Sequence, residues 1–438
     1  MLLGLALRLG AYAFVGESRI VADEREYKAH AVALVEGRQF LDEGKRPPGS
    51  IWFYAGFAKL TGLRGQEMRL ANVLAGTFLV ALVWLLAKRV GGLRTAAWAA
   101  FACAAYPALI LYDVSFWSES LYACLVTGAL VLLAGRGHAP ALLGAGVLMG
   151  AAALTREVGA VLPLLGTAVV PFAAVSRRAR VVRAAVLVAG FVVVVAPWSI
   201  RQNRGEESFA LISRTTWLNL YIGNAPPPEE VENVRRGGSH RMPNAYEALG
   251  PDRPARDAEA KRIVLQAVRD RMPWWPFEKI GETFPDLLTP APLPVARLRH
   301  RTEEPGWPSR WAYTTPVDGT SVEWLRDALS WGVVVAWIAT ALAGTAGLGL
   351  ALGRPGILLL VLAVVLQSVP VVVTFAASRF RLPMIPVLLV GAAWLVVHGR
   401  EAWRAAGTAR RLGVGASVVA LTWIIASGWR ELVDPRWN

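Results

Sequence analysis

Long runs of apolar residues alternate with short polar loops over most of the chain. Many runs approach the roughly 20 residues that an α-helix needs to cross a bilayer. None shows the alternating segments of about 10 residues that are typical of membrane β-barrels. The predicted spans are 1–15, 69–87, 95–112, 118–134, 140–155, 158–175, 182–199, 326–353, 356–375, 382–398 and 412–428. The pattern therefore predicts an all-α polytopic membrane protein with about 11 transmembrane helices.

The first run, 1–15, has two interpretations. A signal peptide carries its positive charge at the start and ends at a cleavage site of small residues. Here Arg8 lies in the middle of the run, and no such cleavage site follows. We therefore interpret this run as a short first transmembrane helix with its N-terminus inside.

Two stretches are too polar to cross a membrane. Loop 16–68 is predicted to hold two amphipathic helices, at 23–36 and 51–60, separated by Pro47-Pro48-Gly49. Segment 200–325 is rich in proline, and charge alternation predicts one helix at 255–271 in an otherwise irregular segment. The predicted organisation is an N-terminal membrane module (1–199), an outer soluble segment (200–325) and C-terminal membrane helices (326–438).

The net charge of +14 comes mainly from the short loops between apolar runs. Those loops hold 13 Lys and Arg residues against the single acid Glu401, whereas 201–325 holds 17 basic and 17 acidic residues. Basic loops mark the cytoplasmic side of a membrane protein. The asymmetry predicts that 201–325 and the C-terminus lie outside, and it indicates an orientation in the bilayer rather than binding of nucleic acid.

Cysteine and histidine offer little chemistry in this chain. Cys103 and Cys124 lie inside apolar runs without metal-binding spacing, which favours an interpretation as small core residues. The five histidines also lack the spacing of zinc ligands.

The predicted topology instead gathers acids and arginines at the outer ends of the helices. The outer carboxylates are Asp23, Glu24, Asp113, Glu119 and Glu157, and the outer guanidinium groups are Arg46, Arg156, Arg201, Arg379 and Arg381. A guanidinium group can hold two phosphate oxygens at once, and a nearby carboxylate can accept a proton from a hydroxyl. Structural alternatives are a helix cap for Asp113, a structural ion pair for Glu119, an interfacial position for Arg156 and anchoring for Arg379 and Arg381. The arrangement favours an anionic, membrane-borne substrate.

The chain also contains a series of short motifs in a defined order. The series is Asp23-Glu24-x-x-Tyr27, Arg46-Pro47-Pro48-Gly49, Ser118-Glu119-x-Leu121, Leu154-Thr155-Arg156, Pro197-Trp198-x-x-Arg201, Asn219-x-x-x-Gly223-Asn224 and Arg379-Phe380-Arg381-x-Pro383. Over residues 1 to about 398 this series resembles the GT-C membrane glycosyltransferases of the bacterial protein mannosyltransferase and aminoarabinose transferase type. Each motif alone is weakly specific, whereas their order is specific for the superfamily and not for the substrate.

The resemblance implies a GT-C fold and a polyprenyl-phosphate-linked sugar donor, used on the outer face of the cytoplasmic membrane in the cell envelope. It implies that Asp23, with Glu24 beside it, is the catalytic acid residue at the start of the first outer helix. We expect Asp23 to act as general base while a hexosyl or pentosyl group moves, with inversion, to a glycan, lipid or protein acceptor. We also expect the like charge of Glu24 to raise the pKa of Asp23.

The remaining motif residues are expected to bind substrate. Arg379, Arg381 and Arg156 would stabilise the leaving phosphate. The other expected binding residues are Tyr27, Arg46, Asp113, Glu119, Glu157 and Arg201. Arg46 stands where members commonly have lysine, and Glu157 stands where they often have proline.

Three questions stay open at this stage. A divalent metal such as Mg²⁺ or Mn²⁺ is one option, with Asp23, Glu24 and Asp113 as candidate ligands, and the arginines are the other. A transporter or flippase of lipid-linked sugars is an alternative function, which predicts ionisable groups near the membrane centre and repeated halves. A non-enzymatic assembly subunit is a second alternative, although it would not need the motif series.

Overall fold

The computed structural model describes residues 1–15, 23–38, 45–135, 138–169, 176–204, 209–225, 242–290 and 323–427. Within these ranges the regular structure is helical, without any β-strand. Residues 428–438 and much of the predicted outer segment lie outside the described residues.

The described helices follow the apolar pattern closely. They are α1 (Leu2–Val15), α2 (Asp23–Val35), α3 (Pro48–Thr61), α4 (Leu70–Ala104), α5 (Pro107–Asp113), α6 (Glu119–Leu133), α7 (Ala139–Thr155), α8 (Leu162–Val169), α9 (Arg177–Gln202), α10 (Thr216–Asn224), α11 (Met242–Glu247), α12 (Arg253–Arg271), α13 (Trp275–Leu288), α14 (Glu323–Ala351), α15 (Ile357–Val373), α16 (Ile385–Ala405) and α17 (Thr408–Ser427). Short 3₁₀ helices occupy Gln66–Arg69, Glu157–Val161 and Ser378–Met384.

Five segments are long and apolar enough to cross a membrane: Gln66–Ala104, Arg177–Gln202, Ala328–Ala351, Ser378–Ala405 and Thr408–Ser427. Five shorter apolar helices accompany them: Leu2–Phe14, Glu119–Leu133, Ala139–Thr155, Glu157–Gly166 and Ile357–Val373. The predicted all-α polytopic architecture is therefore confirmed, and the number of 11 crossings stays a prediction.

Helix α4 contains the turn that the sequence predicts between two spans. Gly92 has a φ of 80°, a left-handed conformation that glycine adopts without steric cost. Both Val80 and Ala104 lie against Gly4 of α1, although they are on opposite sides of Gly92 in the sequence. The chain therefore folds back at Gly92, and basic residues lie on both sides of this turn.

Small residues bring the apolar helices close together. A Cβ atom on Gly146 of α7 would overlap the carbonyl oxygen of Leu187 in α9, and one on Gly347 of α14 would overlap that of Gly391 in α16. Helices in membranes associate through such close backbone approaches, since lipid provides no hydrophobic drive between them. These contacts fix the bundle that positions the charged residues.

The bundle has two chemically different ends. At one end His398 of α16 lies 3.2 Å from the Gly91 carbonyl oxygen, and the Arg354 guanidinium stacks on Trp394 at 5.1 Å. This end also carries the basic residues around Gly92. The opposite end of α16 follows the 3₁₀ segment with Arg379. These basic residues and the predicted site thus lie at opposite ends.

The outer segment is more helical than the sequence suggests. Helix α12 confirms the predicted helix at 255–271, but α10, α11 and α13 occupy stretches expected to be irregular. Pro254 and Pro276 stand in the first turn of α12 and α13. The missing N–H of proline costs nothing at that position, so these prolines start helices rather than break them. The expectation of irregular structure is wrong at these places.

Helix α10 ties the outer segment to the membrane bundle. Its Gly223 lies so close to the Thr374 carbonyl oxygen, just after α15, that a Cβ atom would overlap it. Asn224 donates a hydrogen bond to the Val373 carbonyl oxygen at 2.8 Å, and Trp275 donates to the Asn224 side chain at 3.0 Å. The segment therefore docks directly before the stretch that carries Arg379.

Candidate functional site

Asp23, the first residue of α2, lies between two guanidinium groups. One carboxylate oxygen accepts a hydrogen bond from Arg46 at 2.6 Å, and the other accepts from both terminal nitrogens of Arg379 at 3.2 Å. Arg46 also pairs with Glu26 at 2.6 Å, one turn further along α2. The motifs at 23–27 and 46–49 thus meet because α2 and α3 pack against each other.

A second carboxylate faces the same arginine from another helix. Glu119, at the start of α6, is 2.5 Å from Arg156 at the end of α7 and 3.7 Å from the Nε atom of Arg379. Ser118 accepts a hydrogen bond from Arg156 at 3.1 Å. Arg379 therefore bridges Asp23 and Glu119, and we call Asp23, Arg46, Glu119, Arg156 and Arg379 the arginine cluster.

Aromatic rings hold the arginines of this cluster in place. The Arg379 guanidinium lies over Trp117 at 4.4 Å and near Phe380 at 5.4 Å, while Arg156 lies over Phe380 at 5.1 Å. Tyr27 lies under Arg46 at 5.8 Å. Such stacking attracts a cation to the ring face and fixes the plane of a guanidinium group. Trp117 is buried, and the sequence analysis did not include it among the site residues. Its position directly before Ser118-Glu119 was the available signal.

The cluster holds Asp23 in its ionised form. Burial by itself would raise the pKa of Asp23, but the charges and hydrogen bonds of Arg379 and Arg46 outweigh burial and hold that pKa below its usual range. The expectation that Glu24 raises the pKa of Asp23 is therefore wrong. Consecutive helix residues do not face each other, and the two side chains point to different partners.

Glu24 is buried and accepts a hydrogen bond from the Phe116 backbone N–H at 3.1 Å. The loop before Glu119 is held on its other side by Asn72, which donates to the carbonyl oxygens of Ser115 at 2.7 Å and Trp117 at 2.9 Å. Tyr54 also donates to the Trp117 carbonyl oxygen at 2.9 Å. Glu24 thus helps to fix the loop that carries Trp117 and leads to Glu119.

Asp113 lies apart from the arginine cluster. It is buried and forms an ion pair with Arg8 of α1 at 2.7 Å. The Arg8 guanidinium also donates to the carbonyl oxygens of Gly4 and Ala104. The structure therefore joins Asp113 to the packing of α1, α4 and α5. The mid-helix charge of Arg8, used above only to assign the first span, was the signal for this pair.

Arg381 also points away from the cluster, although Arg379 is only two residues before it. Its guanidinium is buried, lies 4.0 Å from the Trp337 ring and donates to the carbonyl oxygens of Leu287 and Thr289. These carbonyl groups lie at the C-terminal end of α13, where they have no partner within the helix. Arg381 thus caps α13, and of the two arginines only Arg379 joins the cluster.

Glu157 and Arg201 take other positions at this end of the bundle. Glu157 accepts hydrogen bonds from Ser213, at 2.8 Å, and from Thr216, at the start of α10. Arg201 is exposed and lies near the Trp198 ring at 5.9 Å. Glu157 therefore joins the membrane module to the outer segment.

Asp23, Glu24 and Asp113, the candidate metal ligands, do not converge on one point. Among the residues that the structure describes, no three His, Cys, Asp or Glu side chains are grouped as metal ligands would be. Each oxygen of Asp23 faces an arginine, Glu24 faces a backbone N–H, and Asp113 faces Arg8. A hard cation such as Mg²⁺ prefers several oxygen ligands around one point. No catalytic step is therefore assigned to a metal.

Fold and site together define a polytopic helical membrane protein with an arginine-rich site at one end of its bundle. A family model described as dolichyl-phosphate-mannose-protein mannosyltransferase matches residues 45–200. The matched part includes Arg46, Glu119 and Arg156 of the cluster. The match shows similarity to that family over residues 45–200, and it agrees with the resemblance that the motif series predicts. No curated protein sequence matches the chain significantly.

Two solved structures are similar to this chain. The crystal structure of ArnT from Cupriavidus metallidurans bound to undecaprenyl phosphate shares 19% identity with a TM-score of 0.40, over 92% of this chain and 78% of that one. The oligosaccharyltransferase AglB from Archaeoglobus fulgidus, in complex with an inhibitory peptide and a dolichol-phosphate, shares 15% identity with a TM-score of 0.48. The present chain is covered over 99% of its length in that comparison, and it spans 56% of AglB.

Proposed function

We propose that this protein is a glycosyltransferase that moves a sugar from a polyprenyl-phosphate-linked donor to an acceptor at the outer face of the cytoplasmic membrane, with inversion. The observation that carries the proposal is Asp23 held against Arg379 and Arg46 at one end of a membrane bundle. One carboxylate is a base for the acceptor, and the neighbouring guanidinium groups suit a phosphate. The family match over residues 45–200 supports the same reaction class.

Arg379 is the best-placed group for the donor phosphate. Its contacts to Asp23, at 3.2 Å, and to Glu119, at 3.7 Å, are longer than the 2.6 Å contact of Arg46 with Asp23. A phosphate with its own negative charge therefore competes with these carboxylates more easily at Arg379 than at Arg46. Trp117 and Phe380 keep the guanidinium plane in place while its polar partner changes.

When a phosphate replaces Asp23 as the partner of Arg379, Asp23 also becomes a stronger base. Arg379 lowers the pKa of Asp23 in the free protein, and a bound phosphate would neutralise part of that charge. The Asp23 carboxylate then becomes a better proton acceptor, while Arg46 still holds it in position. In this mechanism donor binding prepares the base for the acceptor.

In the chemical step, the acceptor hydroxyl oxygen attacks the anomeric carbon as the bond from that carbon to the phosphate oxygen breaks. The proton of the hydroxyl goes to Asp23, and the electron pair of the broken bond stays on the phosphate oxygen. Arg379, with Arg156 nearby, stabilises the charge that develops there. One displacement inverts the configuration of the sugar. The transferred group is a hexosyl or pentosyl unit, and the acceptor is a glycan, a lipid or a protein.

Incubation of the purified protein with a panel of radiolabelled polyprenyl-phosphate sugars tests the proposal. We expect one donor to release its lipid phosphate and transfer its sugar, and we expect Asp23→Asn to slow this transfer by about 10²–10⁴-fold. Glu26→Gln is the matched control, because Glu26 contacts the same Arg46 from the exposed side. Donor binding without any transfer or hydrolysis, combined with donor movement across proteoliposome membranes, would contradict the proposal and favour a flippase.

A further inference from the structure

Helix α13 of the outer segment has three chemically distinct sides. Lys279 and Thr283, one turn apart, are buried. Phe277 and Ile280 are apolar but 68% and 44% exposed. Residues Glu278 and Glu282 form an exposed acidic edge next to them. Because residues three and four positions apart lie on the same helix side, each of these pairs marks one side of α13.

The buried side fixes how α13 is rotated. Lys279 donates a hydrogen bond to the Gly223 carbonyl oxygen at 2.7 Å. At the other end, Arg381 donates to the Leu287 carbonyl oxygen at 3.0 Å, and Trp337 donates to that of Leu288 at 3.0 Å. These contacts attach α13 to the bundle along its whole length. The apolar side therefore cannot turn inwards.

The exposed apolar side continues beyond the helix. Met272 and Trp274, directly before α13, are 55% and 66% exposed, and the Trp274 ring lies 6.2 Å from that of Phe277. A contiguous patch of large apolar side chains at a protein surface marks an interaction site. Aromatic residues in such a patch suit the boundary between lipid head groups and acyl chains.

The helices next to α13 indicate which molecules contact this patch. The helix packs against the membrane helices α15 and α17. Those helices expose apolar side chains of their own, such as Val369 at 44% and Trp423 at 72%. The apolar side of α13 therefore belongs to a helix that packs against two membrane helices with exposed apolar side chains. A water-facing position would leave Phe277 and Trp274 exposed without compensation.

We propose that α13 lies in the bilayer surface, with Trp274, Phe277 and Ile280 among the phospholipids and Glu278 and Glu282 towards water. A helix with an apolar side, a charged edge and little overall hydrophobicity lies in the plane of the membrane in this way. This inference concerns the interaction surface of the outer segment, and it does not depend on the proposed reaction.

Spin labelling tests this placement in nanodiscs of phosphatidylethanolamine and phosphatidylglycerol. Single cysteines are introduced at Phe277, Ile280 and Glu278 after the buried Cys103 and Cys124 are changed to alanine. Collisions with oxygen, which enters lipid, and with a nickel chelate, which stays in water, are then measured. Trp423→Cys serves as the lipid reference and the exposed Arg262→Cys of α12 as the water reference.

We expect the ratio of oxygen to nickel collisions at Phe277→Cys and Ile280→Cys to resemble that of Trp423→Cys. The ratio at the adjacent Glu278→Cys should be several-fold lower and approach that of Arg262→Cys. High nickel accessibility at both apolar positions would overturn the proposal, because the patch would then face water. Low accessibility to both reagents would also overturn it, because protein would then cover the patch. The two apolar positions are independent, so one misfolded variant leaves the test decisive.

Discussion

Two sets of acid–arginine contacts in this protein differ in their surroundings. Asp113 and Arg8 form a closed pair between helices, with side chains only 1% and 0% exposed. In the arginine cluster, Asp23, Arg46 and Arg379 are each about one-fifth exposed, and Arg379 contacts two carboxylates. A closed pair in which each side chain has one charged partner suits a structural role. A cluster with more guanidinium groups than carboxylates can accept a further anion.

Of the variants considered, Asp23→Asn should produce the largest loss of transfer activity. The amide keeps the size of the side chain but cannot accept the acceptor's proton, and a positioned base typically contributes about 10²–10⁴-fold. Transfer rates at saturating donor should fall by that factor, while donor binding and thermal unfolding stay close to wild type. A wild-type rate in Asp23→Asn, together with an inactive Asp113→Asn of wild-type stability, would contradict the prediction. It would show that the base is Asp113 of the closed pair and not Asp23 of the arginine cluster.

Asp113→Ala should instead lower the stability. Removal of one partner leaves the buried Arg8 charge uncompensated, which typically costs about 3–5 kcal/mol. Unfolding in detergent should shift strongly, and the double variant Arg8→Met/Asp113→Leu should recover much of the loss. An Asp113→Ala protein that unfolds like wild type but loses donor binding would contradict the distinction between the pair and the cluster.

Arg379→Ala should weaken donor binding by roughly 10- to 100-fold, since a hydrogen bond to a charged group contributes about 1.5–3 kcal/mol. Arg379→Lys should recover only part of this affinity, because lysine lacks the planar fork. Arg381→Ala is the matched variant in the same 3₁₀ segment. Its donor affinity should be near wild type, with a lower unfolding temperature because α13 loses its cap. Equal losses of affinity in both alanine variants would refute the assignment.

The pH dependence of the transfer rate tests the role of Asp23 in the arginine cluster. The Asp23 pKa is lowered in the free protein, so its carboxylate should stay ionised as the pH falls through the usual Asp range near 3.8. The acidic limb of kcat/KM for the donor should therefore lie below that range. The limb of kcat, which reports the donor complex, should lie at higher pH because the phosphate takes part of the Arg379 charge. Identical limbs would show that the donor does not exchange partners with Asp23.

The smallest effect is expected for Glu24→Gln. The amide oxygen can still accept the Phe116 N–H, so the loop before Glu119 should stay in place. Activity should fall by less than in Asp23→Asn, and the pH profile should keep its shape. A pH profile that shifts with Glu24→Gln would show that Glu24 acts on the base directly.

The sequence predicts the helices well because length and apolarity largely decide membrane spans. It also predicts Asp23, Arg46, Glu119, Arg156 and Arg379 as site residues, which the structure brings together. The sequence could not separate Arg379 from Arg381, since a 3₁₀ turn directs these near neighbours to different partners. Nor could it place Asp113 against Arg8, because that pairing depends on how α1 packs across the folded α4.

The arginine cluster also sets the moment at which the protein becomes competent during synthesis. Asp23 and Arg379 are 356 residues apart in the chain, so the ion pair forms only after the chain has been synthesised beyond Arg379. Until α16 inserts behind Arg379, the nascent chain holds Asp23 and Arg46 without the guanidinium that would take the donor phosphate. A truncated chain that ends before this helix would reach the membrane without a functional site. Synthesis beyond Arg379 is thus a condition for assembling the arginine cluster.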